Sequence, residues 1–289
     1  MSHVPEFALI TLAAAVVNGA LGYGFSSITV PLALLLITTR VLNPALVVLE
    51  LALNGYVLWM NRSAVPRIRR RMSPLVVGLV PGIALGTAGV ALVRPDWLKL
   101  WTFTVLLPLI LLQAAGLRRP LRGEAPWSVP FGMAVGALYS LTTISGPPLT
   151  LFLNNQGFVK RELRASLGFI RLTEAGFTAF AYWYAGLFTR ESLALVPIVI
   201  PSLAIGVPFG AWLIRRVDAE TFRRVCMSFD AWIVGFALST LLRVLHIVDG
   251  PQAYGVLAAV ALIDMALLVR FFRLQGGSHE LRTPAHARS

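Results

Sequence analysis

The segment Gly19-Ala-Leu-Gly-Tyr-Gly-Phe-Ser-Ser27 interrupts an apolar stretch that runs from about residue 7 to residue 38. A second apolar stretch, at about 128–156, is interrupted in the same way by Ser140-Leu-Thr-Thr-Ile-Ser-Gly-Pro-Pro148. Runs of Gly, Ser, Thr and Pro break helices. Non-helical backbone at membrane depth persists only where protein buries it or a water-filled cavity meets it. The two segments therefore predict two broken helices whose breaks lie inside the protein.

The composition is that of a membrane protein. Of 289 residues, 57% are hydrophobic and 13% are charged, with a mean hydropathy of +0.75. A soluble domain carries roughly a quarter charged residues. Apolar segments of about 20 residues cross a bilayer as helices, so we predict an all-α polytopic fold. The predicted apolar segments lie at about 7–38, 44–61, 74–93, 97–116, 128–156, 165–188, 192–214, 222–242 and 253–271.

Short matches in order, at a spacing of about 120 residues, indicate an internal repeat. They pair Gly19-Ala-Leu21 with Gly136-Ala-Leu138, Pro31-Leu32 with Pro148-Leu149, Leu49-Glu50 with Thr173-Glu174, and Pro81-Gly-Ile-Ala-Leu-Gly86 with Pro201-Ser-Leu-Ala-Ile-Gly206. We predict a first repeat at 7–116, a second at 128–242 and an additional transmembrane helix at 253–271. Residues 275–289 are polar and are expected to form a disordered cytoplasmic tail.

The arginine distribution favours re-entrant hairpins at the two broken segments. If each hairpin enters and leaves on one face, the basic loops fall on one side, as the positive-inside rule requires. These loops lie at 62–71, 118–122, 160–164 and 215–224, and the tail from Arg270 joins them. Each repeat then has a hairpin plus three crossings, so the two repeats are inverted. If the broken segments cross fully, basic loops fall on both sides. Inverted repeats with broken helices recur in transporters.

The chain resembles the sulfite exporter TauE/SafE family of membrane proteins over most of residues 10–242. The resemblance depends on Ile28-Thr-Val-Pro-Leu32 after the first break and on Ser145-Gly-Pro-Pro-Leu149 at the second. It continues through Lys160-Arg-Glu-Leu-Arg-Ala165 and the segment 201–210. The resemblance implies export or uptake of sulfite, of sulfonates such as sulfoacetate, or of other small organic anions.

The two breaks have the composition of anion-binding helix ends. The N-terminus of a half-helix presents free N–H groups and a partial positive charge, and glycine lets a ligand approach closely. Two such ends that face each other would bind an oxyanion. In the alternative, the segments are kinks whose hydroxyls bond back to the chain. The candidate ligands are Gly24, Ser26, Ser27, Thr142, Thr143, Ser145 and Gly146.

Among the charged residues inside predicted spans, three are candidates for a transport role. Arg171 is costly at membrane depth unless it is paired. It either contacts the anion or pairs with Glu174 on the same helix face. Glu50 and Glu174 occupy matched positions, and a carboxylate at this depth can carry a proton. They either couple transport to protons or pair with arginine and hold helices together.

Several other residues admit two interpretations each. Asn18 and Asn54 either contact the substrate or form hydrogen bonds between helices. Tyr23, Phe25 and Tyr139 flank the breaks, where they either gate the site or serve packing. The small-residue run from Gly78 to Gly89 suits close helix packing or a homodimer surface.

The function that we predict is secondary transport of a small anion by alternating access in the bacterial inner membrane, with export as the expected direction. A channel for such anions, a cation transporter that uses Glu50 and Glu174, and a membrane enzyme are the alternatives. We expect no nucleic-acid partner, because the basic residues sit in loops, and no metal or cofactor, because the one Cys and four His form no ligand cluster. No phosphate-binding loop for ATP occurs in the sequence.

Overall fold

A computed structural model describes residues 4–21, 24–115, 124–154 and 160–280. Within these ranges the chain forms eleven α-helices, two short 3-10 turns and no strand, which confirms the all-α prediction. The helices are α1 (Val4–Leu21), α2 (Phe25–Ala33), α3 (Thr39–Met60), α4 (Val65–Leu92), α5 (Pro95–Ala114), α6 (Glu124–Thr142), α7 (Gly146–Asn154), α8 (Lys160–Tyr184), α9 (Arg190–Leu213), α10 (Ala219–Val244) and α11 (Gly255–Glu280).

Seven of the described helices are long and apolar enough to cross a membrane. They are α1, α3, α4, α5, α9, α10 and α11. Helix α8 is not among them, and it carries Arg171 and Glu174 within its length. The number and composition of these helices confirm a multi-pass membrane protein, because each can span the hydrocarbon core with its backbone hydrogen bonds satisfied internally.

Both predicted breaks are present. Between α1 and α2, Gly24 has φ 103°, a left-handed conformation that glycine adopts without steric cost. Gly24 lies beside Val17, one turn before the end of α1, so the chain has doubled back at this point. Between α6 and α7, Thr143 has φ 56°. A β-branched residue is strained in that region, and such strain is concentrated at functional sites.

The prolines of the two half-helices do not occupy equivalent positions. Pro147 and Pro148 are in the first turn of α7, where a missing N–H costs nothing. Pro31 lies near the end of α2 instead. The match between Pro31 and Pro148 in the sequence therefore does not correspond to equal positions in the two half-helices.

Two glycine-lined seams join helices from the two predicted repeats. In the first, α4 packs along α6, and a Cβ on Gly82 would lie 2.1 Å from the carbonyl oxygen of Met133. In the second, α1 packs along α9, and a Cβ on Gly210 would lie 1.9 Å from the carbonyl oxygen of Val16. The run from Gly78 to Gly89 is therefore covered by α6. Of the two alternatives, these small residues serve close helix packing within the chain.

Helices α3 and α8 pack against each other and carry the predicted charged residues. Gly55 of α3 lies nearest to Leu172 of α8, and Gly176 of α8 lies nearest to Leu51 of α3. The two helices therefore run antiparallel. They carry Glu50 and Glu174, which the sequence matches to each other, so their opposite directions agree with the predicted inverted relation. The inversion of the repeats as wholes stays a prediction.

Contacts near the helix ends join the end of α2 and the start of α3 to the end of α4 and the start of α5. In the hairpin interpretation these ends lie on the same side of the membrane, opposite the arginine-rich loops. The Arg40 guanidinium donates to the carbonyl oxygens of Ala91 and Val93, at 2.9 and 3.3 Å. The Lys99 ammonium donates to the carbonyl oxygen of Leu34 at 2.7 Å. Both cations thus satisfy carbonyls that end a helix, where positive charge is favourable.

Helix α11 lies at the edge of the bundle, since only 11% of its spanning window is buried. A buried ion pair attaches it to α10, in which Arg224 donates to Asp264 at 2.7 Å. Ser228 and the Trp232 indole also donate to the Asp264 carboxylate, at 3.2 and 3.1 Å. Helix α11 continues to Glu280, beyond the expected start of the tail at 275, and residues 281–289 lie outside the described residues.

Candidate anion-binding site

At the first break, three donors converge on the carboxylate of Glu50. The Arg171 Nη2 atom donates to Oε1 at 2.9 Å, and the Tyr139 hydroxyl donates to Oε2 at 2.7 Å. The Ser26 hydroxyl, in the first turn of α2, also donates to Oε1. Arg171 is 3% exposed and Glu50 is 0% exposed, so this is a buried ion pair. Its charges are compensated by each other and by two hydroxyl groups, as burial requires.

At the second break, one donor meets the carboxylate of Glu174. The Ser145 hydroxyl donates to Oε2 at 2.6 Å. The Ser145 carbonyl accepts the first hydrogen bond of α7, from Leu149 at 3.1 Å, which makes Ser145 the residue that precedes the helix. Glu174 is fully buried, and its Oε1 atom has no hydrogen-bond partner among the described residues. The two breaks thus differ in how well their carboxylates are satisfied.

Each half-helix therefore has, at its start, a serine that donates to one of the two glutamates. Ser26 donates to Glu50 and Ser145 donates to Glu174. A carboxylate is favourable near a helix N-terminus because the N–H groups and the dipole present positive charge there. The protein's own carboxylates thus lie where the sequence predicts a bound anion. In place of the alternative in which Arg171 pairs with Glu174, the structure has an ion pair across helices between Arg171 and Glu50.

The remaining hydroxyls at the second break bond to the chain itself. Thr142 donates to the carbonyl oxygen of Leu138 at 2.7 Å and accepts from the Ile144 N–H at 3.1 Å. Thr143 donates to the carbonyl oxygen of Thr142 at 2.7 Å. These contacts are those of a helix kink. Gly146 begins α7, and Gly24 precedes α2, so both glycines position the half-helices. Ser27 is buried in the first turn of α2.

Unpartnered donors lie on the two helices that cross at this site. Asn54, on α3 one turn after Glu50, is buried, and its Nδ2 atom has no partner among the described residues. The same holds for Nε of Arg171 on α8. Asn18 of α1 is also buried, with an unpartnered Oδ1. Buried polar groups are normally satisfied, so unpartnered donors on facing helices indicate a place for an acceptor.

Sequence reasoning missed the aromatic and amide groups around the second break. Tyr139 donates a hydrogen bond to Glu50, so it does more than pack beside the break. The Tyr182 hydroxyl donates to the carbonyl oxygen of Ser140, and Asn43 donates to that of Leu141 at 2.7 Å. Asn43 lies in α3, one residue before the apolar segment predicted at 44–61, so it fell outside the predicted spans. Phe25 is buried beside the first break, and Tyr23 lies outside the described residues.

A cleft of about 330 Å³ lies between α4, α5 and α6. It reaches Thr102 and Thr142, but its other lining residues are apolar or glycine, including Leu85, Trp101 and Leu138. An apolar lining offers no compensation for a buried anion. The polar cluster of Ser26, Glu50, Tyr139, Ser145, Arg171 and Glu174, called the midline cluster below, is therefore the candidate site.

Comparison with known proteins gives one match. The family model described as sulfite exporter TauE/SafE matches residues 7–238, which include every residue of the midline cluster. A search of curated proteins and a search of solved structures each found no match. The matched family is one of membrane transporters and not of enzymes. Because the match covers most of the chain, this protein belongs to the TauE/SafE family of sulfite exporters.

Proposed function

We propose that the chain is a secondary transporter that carries small oxyanions, such as sulfite, sulfoacetate or other organosulfonates, by alternating access. The observation that carries this proposal is the buried Arg171, which keeps an unpartnered Nε beside the first break. The family match supports an anionic substrate. We also propose that the protein lies in the inner membrane of a bacterium. Its apolar helices and its arginine-rich loops, which the positive-inside rule assigns to the cytoplasmic side, support this localisation.

The guanidinium of Arg171 can hold Glu50 and a substrate at the same time. Its Nη2 atom is used by Glu50, whereas Nε is not used by any described residue. The planar guanidinium suits the oxygens of a carboxylate, and a sulfonate or sulfite offers oxygens with the same acceptor chemistry. The Nδ2 atom of Asn54 adds a neutral donor from the facing helix. Together these donors support binding of a compact oxyanion.

The site takes groups from both repeats, which supports alternating access. Glu50 and Asn54 come from α3, and Arg171 and Glu174 come from α8. A relative movement of α3 and α8 would change all these contacts together. Transporters built from inverted repeats commonly place their substrate site between the repeats near the membrane midplane.

Transport by the purified protein in liposomes tests the proposed function. We expect labelled sulfite or methanesulfonate to enter vesicles that are preloaded with the same unlabelled anion, and to do so with saturation. Vesicles without protein provide the control. Flux that grows linearly with anion concentration would favour a channel instead. Movement of cations with no anion movement would favour the cation transporter, which the two buried carboxylates of Glu50 and Glu174 would then serve.

A further inference from the structure

We infer that Glu174, and not Glu50, binds and releases a proton as the anion is carried. This inference rests on the proposed function and deepens it by naming the coupling group. It depends on the unequal surroundings of two glutamates that occupy matched positions in the repeats. Both are fully buried, so each must have its charge compensated or must be neutral.

The carboxylate of Glu50 is surrounded by donors. It is paired with Arg171 at 2.9 Å, and both of its oxygens accept further hydrogen bonds, from Ser26 and Tyr139. These partners compensate a negative charge at this position, as burial requires. Removing the charge would leave Arg171 as an unpaired buried cation.

Glu174 lacks such compensation. Its one hydrogen bond in the described structure comes from Ser145, and no described cation forms an ion pair with it. The titratable groups that face it are Arg171 on its own helix, Glu50 on α3 and Tyr139 on α6. Helix α7 contains no titratable side chain, and the arginines of α4 lie within its first two turns. The arginine is already engaged by Glu50, whose negative charge also opposes ionisation of Glu174.

The net charge of Glu50, Arg171 and Glu174 explains how anion binding is coupled to protonation of Glu174. With Glu50 and Arg171 ionised, a proton on Glu174 makes the trio of ionisable groups neutral, whereas loss of that proton leaves one negative charge. The Oε1 atom of Glu174 has no hydrogen-bond partner among the described residues. If it carried the proton, it would become an O–H donor. An incoming oxyanion is therefore accepted with the proton in place and repelled without it. The proton comes from water on the open side and returns to water on the other, so anion and proton move together.

Methanesulfonate is the probe for the test, because it stays singly charged over the working pH range. For the wild-type protein we expect binding to weaken as pH rises and about one proton to be taken up per anion bound, read from the binding heats in buffers of different ionisation enthalpy. In liposomes, an acidic exterior should drive anion accumulation inside. Glu174→Gln, which imitates the neutral acid, should still bind the anion, with pH-independent affinity, no proton uptake and no accumulation driven by the pH gradient.

A matched control is Asp230→Asn. Asp230 is another buried acid with an unpartnered Oδ1, but it lies on α10 and has no bond to either break. This variant should keep proton uptake and accumulation. Retained proton uptake in Glu174→Gln, loss of anion binding in that variant, or accumulation on the acidic side would each overturn the inference. Saturable exchange of the anion at equal pH, without response to a gradient, would leave the proposed function standing and reject only the coupling.

Discussion

Arg171→Ala is expected to abolish anion transport and to lower the melting temperature of the protein. The substitution removes the buried guanidinium that supports substrate binding and leaves Glu50 without its counterion. Breaking a buried ion pair by removing one partner costs about 3–5 kcal/mol of stability. We expect about a hundredfold fall in the uptake rate of labelled sulfite. A hundredfold corresponds to about 2.7 kcal/mol, which lies within the roughly 1.5–3 kcal/mol that a hydrogen bond to a charged group contributes. Liposome uptake and thermal unfolding in detergent measure the two effects.

Arg224→Ala provides the matched control for stability. Arg224 and Asp264 are as deeply buried as Arg171 and Glu50, and their ion pair is 2.7 Å long. This pair lies between α10 and α11, away from the breaks. We expect a similar fall in melting temperature, with transport by the remaining folded protein close to that of the wild type. Equal loss of transport in both variants would mean that stability, and not anion binding, explains the effect of Arg171→Ala.

The double variant Arg171→Ala/Glu50→Ala separates the two roles of the arginine further. Removing both charges eliminates the uncompensated carboxylate, so stability should recover relative to Arg171→Ala alone. Transport should not recover, because the cation that would meet the substrate is still missing. Transport restored together with stability would reduce Arg171 to a structural residue.

Gly82→Ala and Gly210→Ala are expected to prevent normal assembly of the helix bundle. The added Cβ would lie 2.1 Å from the carbonyl oxygen of Met133 in the first case and 1.9 Å from that of Val16 in the second. Both obstacles are backbone atoms of a neighbouring helix, which cannot move aside as a flexible side chain can. Overpacking of this kind costs about 3 kcal/mol or more, since whole helices must separate. The yield of monodisperse protein and its melting temperature measure the loss.

Gly176→Ala and Gly255→Ala are the controls for these substitutions. A Cβ on Gly176 would come no closer than 4.0 Å to a neighbouring atom, and one on Gly255 would meet nothing within that range. Neither glycine has a positive φ, so alanine should be accepted and should favour the helix. Normal yield from Gly82→Ala or Gly210→Ala would show that the seams are looser than their geometry indicates.

The fold could be predicted from the sequence because its signals are local. Apolar segments of spanning length gave the class, and Gly, Ser, Thr and Pro runs located both breaks. The end of the C-terminal helix was harder to predict from the sequence. Two consecutive glycines at 276–277 suggested an end, yet the helix continues through them to Glu280. Glycine lowers helix propensity by about 1 kcal/mol per residue without forbidding the helix.

The charged members of the midline cluster could be identified from the sequence, but their pairings could not. Charge at membrane depth identified Glu50, Arg171 and Glu174 from the sequence alone. Which glutamate pairs with the arginine depends on how α3 crosses α8, and helical periodicity carries no information about that crossing. The i,i+3 spacing favoured Glu174, whereas the structure pairs Arg171 with Glu50, 121 residues away. The contribution of Tyr139 was hidden for the same reason, because its partner belongs to another helix.

The glycine seams tie the two halves of the chain to each other. One seam fixes α4 to α6 and the other fixes α1 to α9, so each joins a helix from the first half to a helix from the second. Helices α3 and α8, which carry the glutamates and the arginine of the midline cluster, add a third such contact. The two halves of the sequence are therefore interlocked and cannot separate as independent rigid bodies. A movement that exposes the midline cluster would have to leave both seams closed.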